Sequence, residues 1–337
     1  MGLIRILLAL LVLALGAAAA GAAEPRGRMT GGERYALPGW FKPGFLDIAE
    51  DLAEAARRGR HLVLFVHLEE CPYCARLLDE NFRDGANRAF LEKHFDVVAI
   101  DVRGANEVTW PGGEKLTERQ LGAKLGVFGT PTLVFLGPGG RVVHRMNGYR
   151  HPRPFRQALE FVQGRHYERE TFQEYAAREP APAAWAFRPH PLFTAADDLS
   201  GIAGALAVVF ESRDCADCGE WHDAVWNHPD VLAQLEGFRV VRLDADSEAP
   251  LTDPSGRRTT PRAWAKALGL DYRPGVVLFA DGAERARIDG MLYKFHVREL
   301  LRYVGGGHYR DGTSVRAYNA ARREQLLREG ATIDYGR

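Results

Sequence analysis

The chain has 337 residues, of which 46% are hydrophobic and 26% charged, and its 44 basic residues balance 44 acidic ones. This length is enough for two domains of ordinary size, and the composition is that of a globular protein. The net charge of zero gives no electrostatic reason to expect a nucleic acid or an acidic surface as partner, and it says nothing about local charged patches.

The first 23 residues predict a secretory signal peptide. Arg5 is followed by an apolar segment at 6–15 and by small residues up to Ala23, so cleavage is expected before Glu24. An uncleaved anchor is the alternative, but the strongly apolar segment has about half of the ~20 residues that a membrane span needs. We therefore expect export without stable membrane insertion. We infer a bacterial periplasm, where disulfides persist, with a eukaryotic secretory route as the alternative.

The leader, residues 24–44, is rich in Gly and Pro and is expected to be either loose or ordered by docking. The apolar pattern that follows alternates between helical and strand periodicity. In chain order it predicts a helix at 45–58, a buried strand at 62–66, a helix from 75, the end of a helix at 87–94, a strand at 97–102, a loop at 103–116, a helix at 117–126, a strand at 132–136, a turn at 137–140, a strand at 141–146 and a helix at 155–163. Thr117 is the expected N-cap and Gly126 the expected C-cap of the 117–126 helix.

The four cysteines form two Cys-x-x-Cys pairs, which are Cys71-Pro72-Tyr73-Cys74 and Cys215-Ala216-Asp217-Cys218. A dithiol with this spacing predicts redox chemistry or metal binding. The first pair lies where a predicted strand passes into a predicted helix, and the N–H groups and dipole of a helix start stabilise a thiolate. We therefore expect Cys71 to be the nucleophile and Cys74 the resolving thiol. This role requires the Cys71 sulfur to be reachable from solvent.

The second half of the chain repeats the first. Cys215 follows Cys71 by 144 residues, and Pro274 follows Pro131 by 143, as do several further matched residues. Strands are predicted again at 207–210, 240–244, 276–279 and 285–288, and a terminal helix at 315–328. The predicted organisation is a first domain at 45–167, a Pro-rich connector at 168–197, a second domain at 198–309 and a helical tail at 310–337.

The order of a strand, a Cys-x-x-Cys helix, a second strand, a helix and a Thr-Pro strand hairpin resembles the thioredoxin fold. The residues that carry the resemblance are Cys71–Cys74 and the segment Phe128–Phe135. In finer detail, the His-Leu-Glu-Glu at 67–70 and the Gly-Tyr pair at 148–149 are similar to SoxW-like periplasmic thioredoxins. The resemblance implies an α/β fold with two tandem thioredoxin-like domains, each a central mixed β-sheet flanked by helices.

The resemblance also implies which residues contact a substrate. They are the residues beside the expected cis prolines and those between the first two cysteines: Thr130, Pro131, Arg273, Pro274, Pro72 and Tyr73. Pro72 and Tyr73 resemble the Pro-Tyr of glutaredoxins, without a convincing glutathione site around them. Cys215 and Cys218 are the expected second catalytic pair. A relay dithiol or a degenerate repeat is the alternative, because Arg273 stands where the first domain has Thr130.

One further departure from the family concerns proton transfer. Thioredoxins carry a buried acid six residues before the first cysteine, but this chain has Phe65 and Val209 at those positions. Glu69, Glu70 or solvent would then have to accept the proton.

We expect an exported thiol–disulfide oxidoreductase that acts on protein disulfides as a reductase, with no cofactor and no bound metal. The resemblance implies a membrane thiol as electron donor. A disulfide donor or isomerase is one alternative, and a catalytic first domain with a non-catalytic, partner-binding second domain is another. A fixed, inert Cys71–Cys74 disulfide also remains open, as does zinc or copper binding by Cys215, Cys218 and His222, for which no fourth ligand is evident.

Overall fold

The computed structural model describes residues 27–43, 47–83, 85, 87–178 and 183–336. The strands in chain order are β1 (Arg28–Thr30), β2 (His61–His67), β3 (Phe95–Asp101), β4 (Glu107–Trp110), β5 (Glu114–Thr117), β6 (Thr132–Leu136), β7 (Val142–Asn147), β8 (Phe193–Thr194), β9 (Ala205–Glu211), β10 (Phe238–Asp244), β11 (Leu251–Thr252), β12 (Arg258–Thr259), β13 (Gly275–Ala280), β14 (Ala283–Ile288) and β15 (Thr332–Asp334).

The α-helices are α1 (Ile48–Arg57), α2 (Pro72–Leu77), α3 (Arg88–His94), α4 (Glu118–Lys124), α5 (Pro152–Gln163), α6 (Phe172–Arg178), α7 (Cys218–Trp221), α8 (Pro229–Leu235), α9 (Pro261–Ala267), α10 (Lys294–Gly305) and α11 (Val315–Arg328). Helices α2 and α7, which follow the two Cys-x-x-Cys pairs, each continue into a π-helical turn, Leu78–Phe82 and His222–Trp226.

Each half of the chain builds one mixed sheet. In the first domain the strand order is β3-β2-β6-β7, with β2 and β3 parallel and the other pairs antiparallel. In the second domain the order is β14-β13-β9-β10-β8, which repeats the first sheet and adds β8 at one edge. The predicted α/β fold with two mixed sheets is thereby confirmed.

The central strand β2 is apolar on both faces because helices cover both sides of its sheet. Val63 and Phe65 point into one core, and Leu62, Leu64 and Val66 point into the other. Side chains alternate across a strand, so a continuous apolar run is what a strand buried on both faces requires.

The predicted loop at 103–116 is wrong, because most of it is a β-hairpin. Strands β4 and β5 pair in antiparallel register, which puts Val108 opposite Leu116. Val108 is fully buried, and Leu116 packs against the same core. Gly112 and Gly113 have φ of 93° and 81°, a conformation that side chains disfavour, and they make the turn. The Gly/Pro-rich composition therefore marked only this turn.

The leader and the connector run along equivalent strand edges of the two sheets. The N–H of Lys42 donates to the carbonyl of Val97 in β3. Strand β8 pairs with β10 through Val240, which follows Val97 by 143 residues. At its start, the leader forms β1 and pairs in parallel with β15 of the tail.

No helix in the described ranges has the length and apolar character needed to cross a membrane. The predicted signal peptide at 1–23 lies outside the described residues.

Candidate functional site

The first dithiol begins a helix at the carboxyl end of the central strand. Cys71 is the N-cap of α2, and Pro72 takes the first helical position, where its missing N–H costs no hydrogen bond. Cys71 and Cys74 form a disulfide with their Cα atoms 5.2 Å apart. The backbone N–H of Cys74 donates to the Cys71 sulfur at 3.1 Å. A thiolate at Cys71 would therefore be stabilised by this donor.

The cis-proline loop brings a second donor to the same sulfur. The Thr130–Pro131 and Arg273–Pro274 peptide bonds are both cis, which confirms the expectation for both prolines. The Thr130 hydroxyl donates to the Cys71 sulfur at 3.4 Å, and the Thr130 carbonyl oxygen lies 3.6 Å from it. Thr130 thus lies against Cys71, although 59 residues separate the two in the chain.

The surroundings of the first dithiol hold no buried acid at the position that thioredoxins use. Phe65 is fully buried in the core there. Glu69 and Glu70 are both exposed, and Glu70 pairs with Arg34 of the leader at 2.8 Å. Neither of these carboxylates therefore lies in the buried space behind the disulfide, which argues against the expected role of Glu69 or Glu70.

His67, which ends β2, is a titratable residue four positions before Cys71. Its side chain is half-buried, and burial lowers its pKa. The Tyr35 hydroxyl lies 2.8 Å from His67 Nδ1 and donates to the carbonyl of Leu68 at 2.7 Å. A leader residue therefore fixes the orientation of this imidazole beside the Cys-x-x-Cys loop.

The second dithiol is built in the same way but is packed differently. Cys215 and Cys218 form a disulfide with their Cα atoms 5.5 Å apart. Both are buried in a cluster with Trp185 of the connector. Arg273 is half-buried, and its guanidinium donates to the carbonyls of Leu270 and Tyr272 at 3.1 and 2.9 Å. Burial lowers the pKa of Arg273.

A buried Glu–His pair beside the second dithiol was missed by the sequence analysis. Glu211 is fully buried at the end of β9, and it follows His67 by 144 residues. One carboxylate oxygen lies 2.5 Å from His222 Nε2, and the other accepts the Trp185 indole N–H at 2.9 Å. An acidic residue directly after a buried strand was the signal that could have identified Glu211.

His222, the candidate metal ligand, is thus hydrogen-bonded to a carboxylate. Within the part of the chain that the structure describes, no group of three or more His, Cys, Asp or Glu side chains is arranged to hold a metal ion.

The surfaces of the two domains that carry the Cys-x-x-Cys pairs, here called the dithiol faces, are turned toward each other. Tyr73, between the first two cysteines, is 5% exposed and stacks on Tyr293 of the second domain with ring centroids 4.3 Å apart. Its hydroxyl accepts the Tyr293 N–H at 2.8 Å and bonds His296 Nδ1 at 2.9 Å. The predicted substrate-contacting residue Tyr73 is therefore occupied by a contact within the chain.

The equivalent residue of the second pair, Asp217, is also buried at the domain interface. Its carboxylate accepts the Tyr272 hydroxyl at 2.8 Å, and burial raises its pKa. Arg150 of the first domain lies over the Tyr272 ring, 4.6 Å from the ring centroid, and donates to the Asp289 carbonyl at 3.3 Å. A first-domain cation therefore inserts beside the cis-proline loop of the second domain.

Cys71 is less exposed to solvent than its predicted role as nucleophile led us to expect. Cys71 is 4% exposed and Cys215 is 3% exposed. The loops that follow the two hairpins also meet, since a Cβ on Gly148 would lie 3.4 Å from the Cα of Gly290. The second domain thus covers two sides of the Cys71 face, at Tyr73 and at Gly148.

The sequence matches the thioredoxin-like domain family at residues 48–163 and again at 195–305, which together make up more than half of the chain. It is also similar to solved structures. A thioredoxin-fold protein from Helicobacter pylori is 19% identical, with 36% of this chain and 80% of that chain covered and a TM-score of 0.32. A thioredoxin from Thermus thermophilus is 27% identical, with 41% and 87% covered and a TM-score of 0.28.

A protein disulfide oxidoreductase from Aeropyrum pernix is 14% identical, with 84% of this chain and 98% of that chain covered and a TM-score of 0.25. No curated protein gives a significant match. The two family matches each enclose one Cys-x-x-Cys pair and one cis-proline. The chain therefore belongs to the thioredoxin-like domain family and contains two copies of that domain in tandem.

Proposed function

We propose that this protein is exported and reduces disulfides of other proteins through Cys71 and Cys74. Its two family domains and two Cys-x-x-Cys pairs make it a thiol–disulfide oxidoreductase. The observation that carries the choice of nucleophile is the pair of donors on the Cys71 sulfur, the Cys74 N–H and the Thr130 hydroxyl. Both donors stabilise negative charge on that sulfur, as nucleophilic attack requires.

The reaction begins with the reduced dithiol. The Cys71 thiolate attacks one sulfur of the substrate disulfide, so that a mixed disulfide forms and the other substrate sulfur leaves as a thiolate. The Cys74 thiolate then attacks the Cys71 sulfur, and the second substrate sulfur leaves. Two electrons pass to the substrate, and the chain is left with the Cys71–Cys74 disulfide that this structure holds.

A further turnover needs a reductant. We propose a membrane protein dithiol as donor, which would become a disulfide as it restores the two thiols. The predicted signal peptide at 1–23 supports export, and the resemblance around Cys71 to SoxW-like periplasmic thioredoxins supports the direction of reduction.

A disulfide donor is the second candidate function, and the same two hydrogen bonds favour it. Donors that stabilise the thiolate stabilise the reduced dithiol, and this makes the disulfide a stronger oxidant. For the second domain, partner binding without catalysis is supported by Arg273, whose guanidinium is held by the backbone of its own loop.

The experiment is to measure the reduction potential of each dithiol in the mature protein and to compare insulin reduction by wild type, Cys71→Ser and Cys215→Ser. We expect a potential near that of thioredoxins and loss of activity in Cys71→Ser. A potential near that of strong oxidants would favour the disulfide donor. If neither substitution changes any redox activity, the proposed function is wrong, and if only Cys71 matters, the second domain is a binding domain.

A further inference from the structure

Phe128 is the most exposed large hydrophobic side chain among the described residues. It is 94% exposed, whereas the other large hydrophobic residues with exposed side chains, Met29, Leu37 and Val142, range from 38% to 55%. A single exposed apolar residue is common on protein surfaces and needs no explanation by itself. A functional role for Phe128 therefore depends on its position relative to the dithiol.

Phe128 lies two residues before Thr130, whose hydroxyl donates to the Cys71 sulfur. The loop that carries it is held on both sides. Val127 is 5% exposed in the core, and the Thr132 hydroxyl donates to the Gly129 carbonyl at 2.8 Å. The phenyl ring is thus presented to solvent from a fixed loop beside the nucleophile.

The second domain lacks this feature. Its equivalent position, 143 residues later, is Asp271, which is half-buried and accepts a hydrogen bond from the Gln173 side chain. The exposed aromatic group is therefore a property of the first domain's site and is not required by the repeated fold.

The second domain leaves the surface around Phe128 open. Tyr73 and Gly148 contact the second domain, whereas Phe128 and Gly129 are both exposed. A substrate that approaches Cys71 from this side, with the two domains docked, passes over Phe128.

We propose that Phe128 determines substrate preference by binding an apolar side chain of the substrate polypeptide near its target cysteine. This inference rests on the proposed function. Residues of an extended chain are about 3.3 Å apart. If the reacting cysteine of the substrate lies opposite Thr130, the substrate residue about two positions away therefore lies against Phe128. The substrate class is thus an extended polypeptide whose disulfide is flanked by aliphatic or aromatic residues.

The test uses two disulfide peptides that differ only at the positions two residues before and after the cysteine, with Leu in one and Ser in the other. We expect wild type to reduce the Leu peptide with a kcat/KM about tenfold higher, which corresponds to about 1.4 kcal/mol. Phe128→Ser should reduce this preference to near one, and Phe128→Leu should retain most of it. Val142→Ser is the matched control, because Val142 is exposed at the end of the β6–β7 hairpin that lies away from Thr132. This variant should keep the full preference.

Equal rates for the two peptides with wild type would overturn the inference, as would an unchanged preference in Phe128→Ser. A different failure would reach the proposed function itself. If reduced wild type converts neither the peptides nor hydroxyethyl disulfide, which has no side chains to recognise, the reductase proposal is wrong and the inference falls with it.

Discussion

Arg76 of the first domain forms a two-point ion pair with Glu220 of the second, and both nitrogen–oxygen distances are 2.9 Å. The two residues hold the same place in their domains, because each lies two residues after the second cysteine of its pair. The contact between Gly148 and Gly290 joins equivalent loops as well. Contacts between equivalent residues are the mark of twofold pairing, so the two domains pack as an internal pseudo-dimer through their dithiol faces.

A double-mutant cycle measures the energetic coupling between Arg76 and Glu220. The Arg76 side chain is 8% exposed and that of Glu220 is 34% exposed. Because water screens them only in part, we expect Arg76→Met and Glu220→Gln to show a coupling of about 1–3 kcal/mol in the free energy of unfolding. The exposed pair Arg34 and Glu70 is the control and should couple by less than about 1 kcal/mol. Coupling near zero for Arg76 and Glu220 would mean that the domains are not docked in solution.

Tyr73→Phe tests the other contact across the interface. The substitution keeps the ring that stacks on Tyr293 and removes the hydroxyl that bonds the Tyr293 N–H and His296. Leaving these two groups without a partner should cost about 1–3 kcal/mol of stability in denaturant unfolding. It should also loosen the cover over Cys71, so that iodoacetamide alkylates the reduced Cys71 thiol faster than in wild type.

The control for that substitution is Tyr309→Phe, which removes an exposed hydroxyl that bonds Asp281. It should leave both the stability and the alkylation rate near the wild-type values. If Tyr73→Phe behaves like the control, the Tyr73 hydroxyl does not hold the domains together.

Acid should weaken the docked arrangement through His296. Burial lowers the pKa of His296 to about 4, from an ordinary value of about 6.5. The unfolded chain therefore binds a proton first as pH falls, so this contribution to stability is present above pH 6.5 and is lost between 6.5 and 4. The loss can reach about 3 kcal/mol, at about 1.4 kcal/mol per pKa unit.

The measurement compares the unfolding of wild type and His296→Asn at pH 7 and pH 4.5. His61 and His144, whose pKa values burial lowers to about 4 and about 3, titrate in both proteins. The difference between the two proteins therefore isolates His296. Wild type should lose more stability on acidification than the variant, and an equal loss would show that His296 is already exposed to water.

Local signals allowed much of the fold to be predicted. Strand β6 and helix α11 have the predicted bounds, and Thr117 caps its helix as expected, with Gln120 completing a capping box. In these segments the structure is determined by apolar periodicity and capping residues, which are signals between residues only a few positions apart in the chain. The hairpin at 107–117 was missed because its two short strands are stabilised by burial against a core formed elsewhere in the chain.

The same distinction applies to the site. Cys71, Thr130 and the two cis prolines belong to short motifs, so their positions followed from the sequence. The partner of Tyr73 lies 220 residues away in the chain, and no periodicity or spacing signals a contact of that kind. The covering of Cys71 by the second domain could therefore not be derived from the sequence.

Glu211 should stabilise the packing around the second dithiol. Glu211→Leu keeps the size of a fully buried side chain and removes the acceptor shared by His222 and Trp185. Leaving a buried polar group without its partner typically costs about 1–3 kcal/mol, and the substitution does this to two groups, so we expect a loss of about 2–6 kcal/mol in denaturant unfolding. The double variant Glu211→Leu with His222→Leu should recover part of it, because only the Trp185 indole N–H is then left without its partner.

A second measurement separates this role from general packing. Trp185 packs against Cys215 and Cys218, and its indole is held in place by Glu211. Releasing the indole should speed alkylation of reduced Cys215 in Glu211→Leu, while alkylation of Cys71 stays at the wild-type rate because that sulfur belongs to the other domain. Equal acceleration at both cysteines would indicate global loosening, and no acceleration at Cys215 would mean that Trp185 covers the second dithiol without help from Glu211.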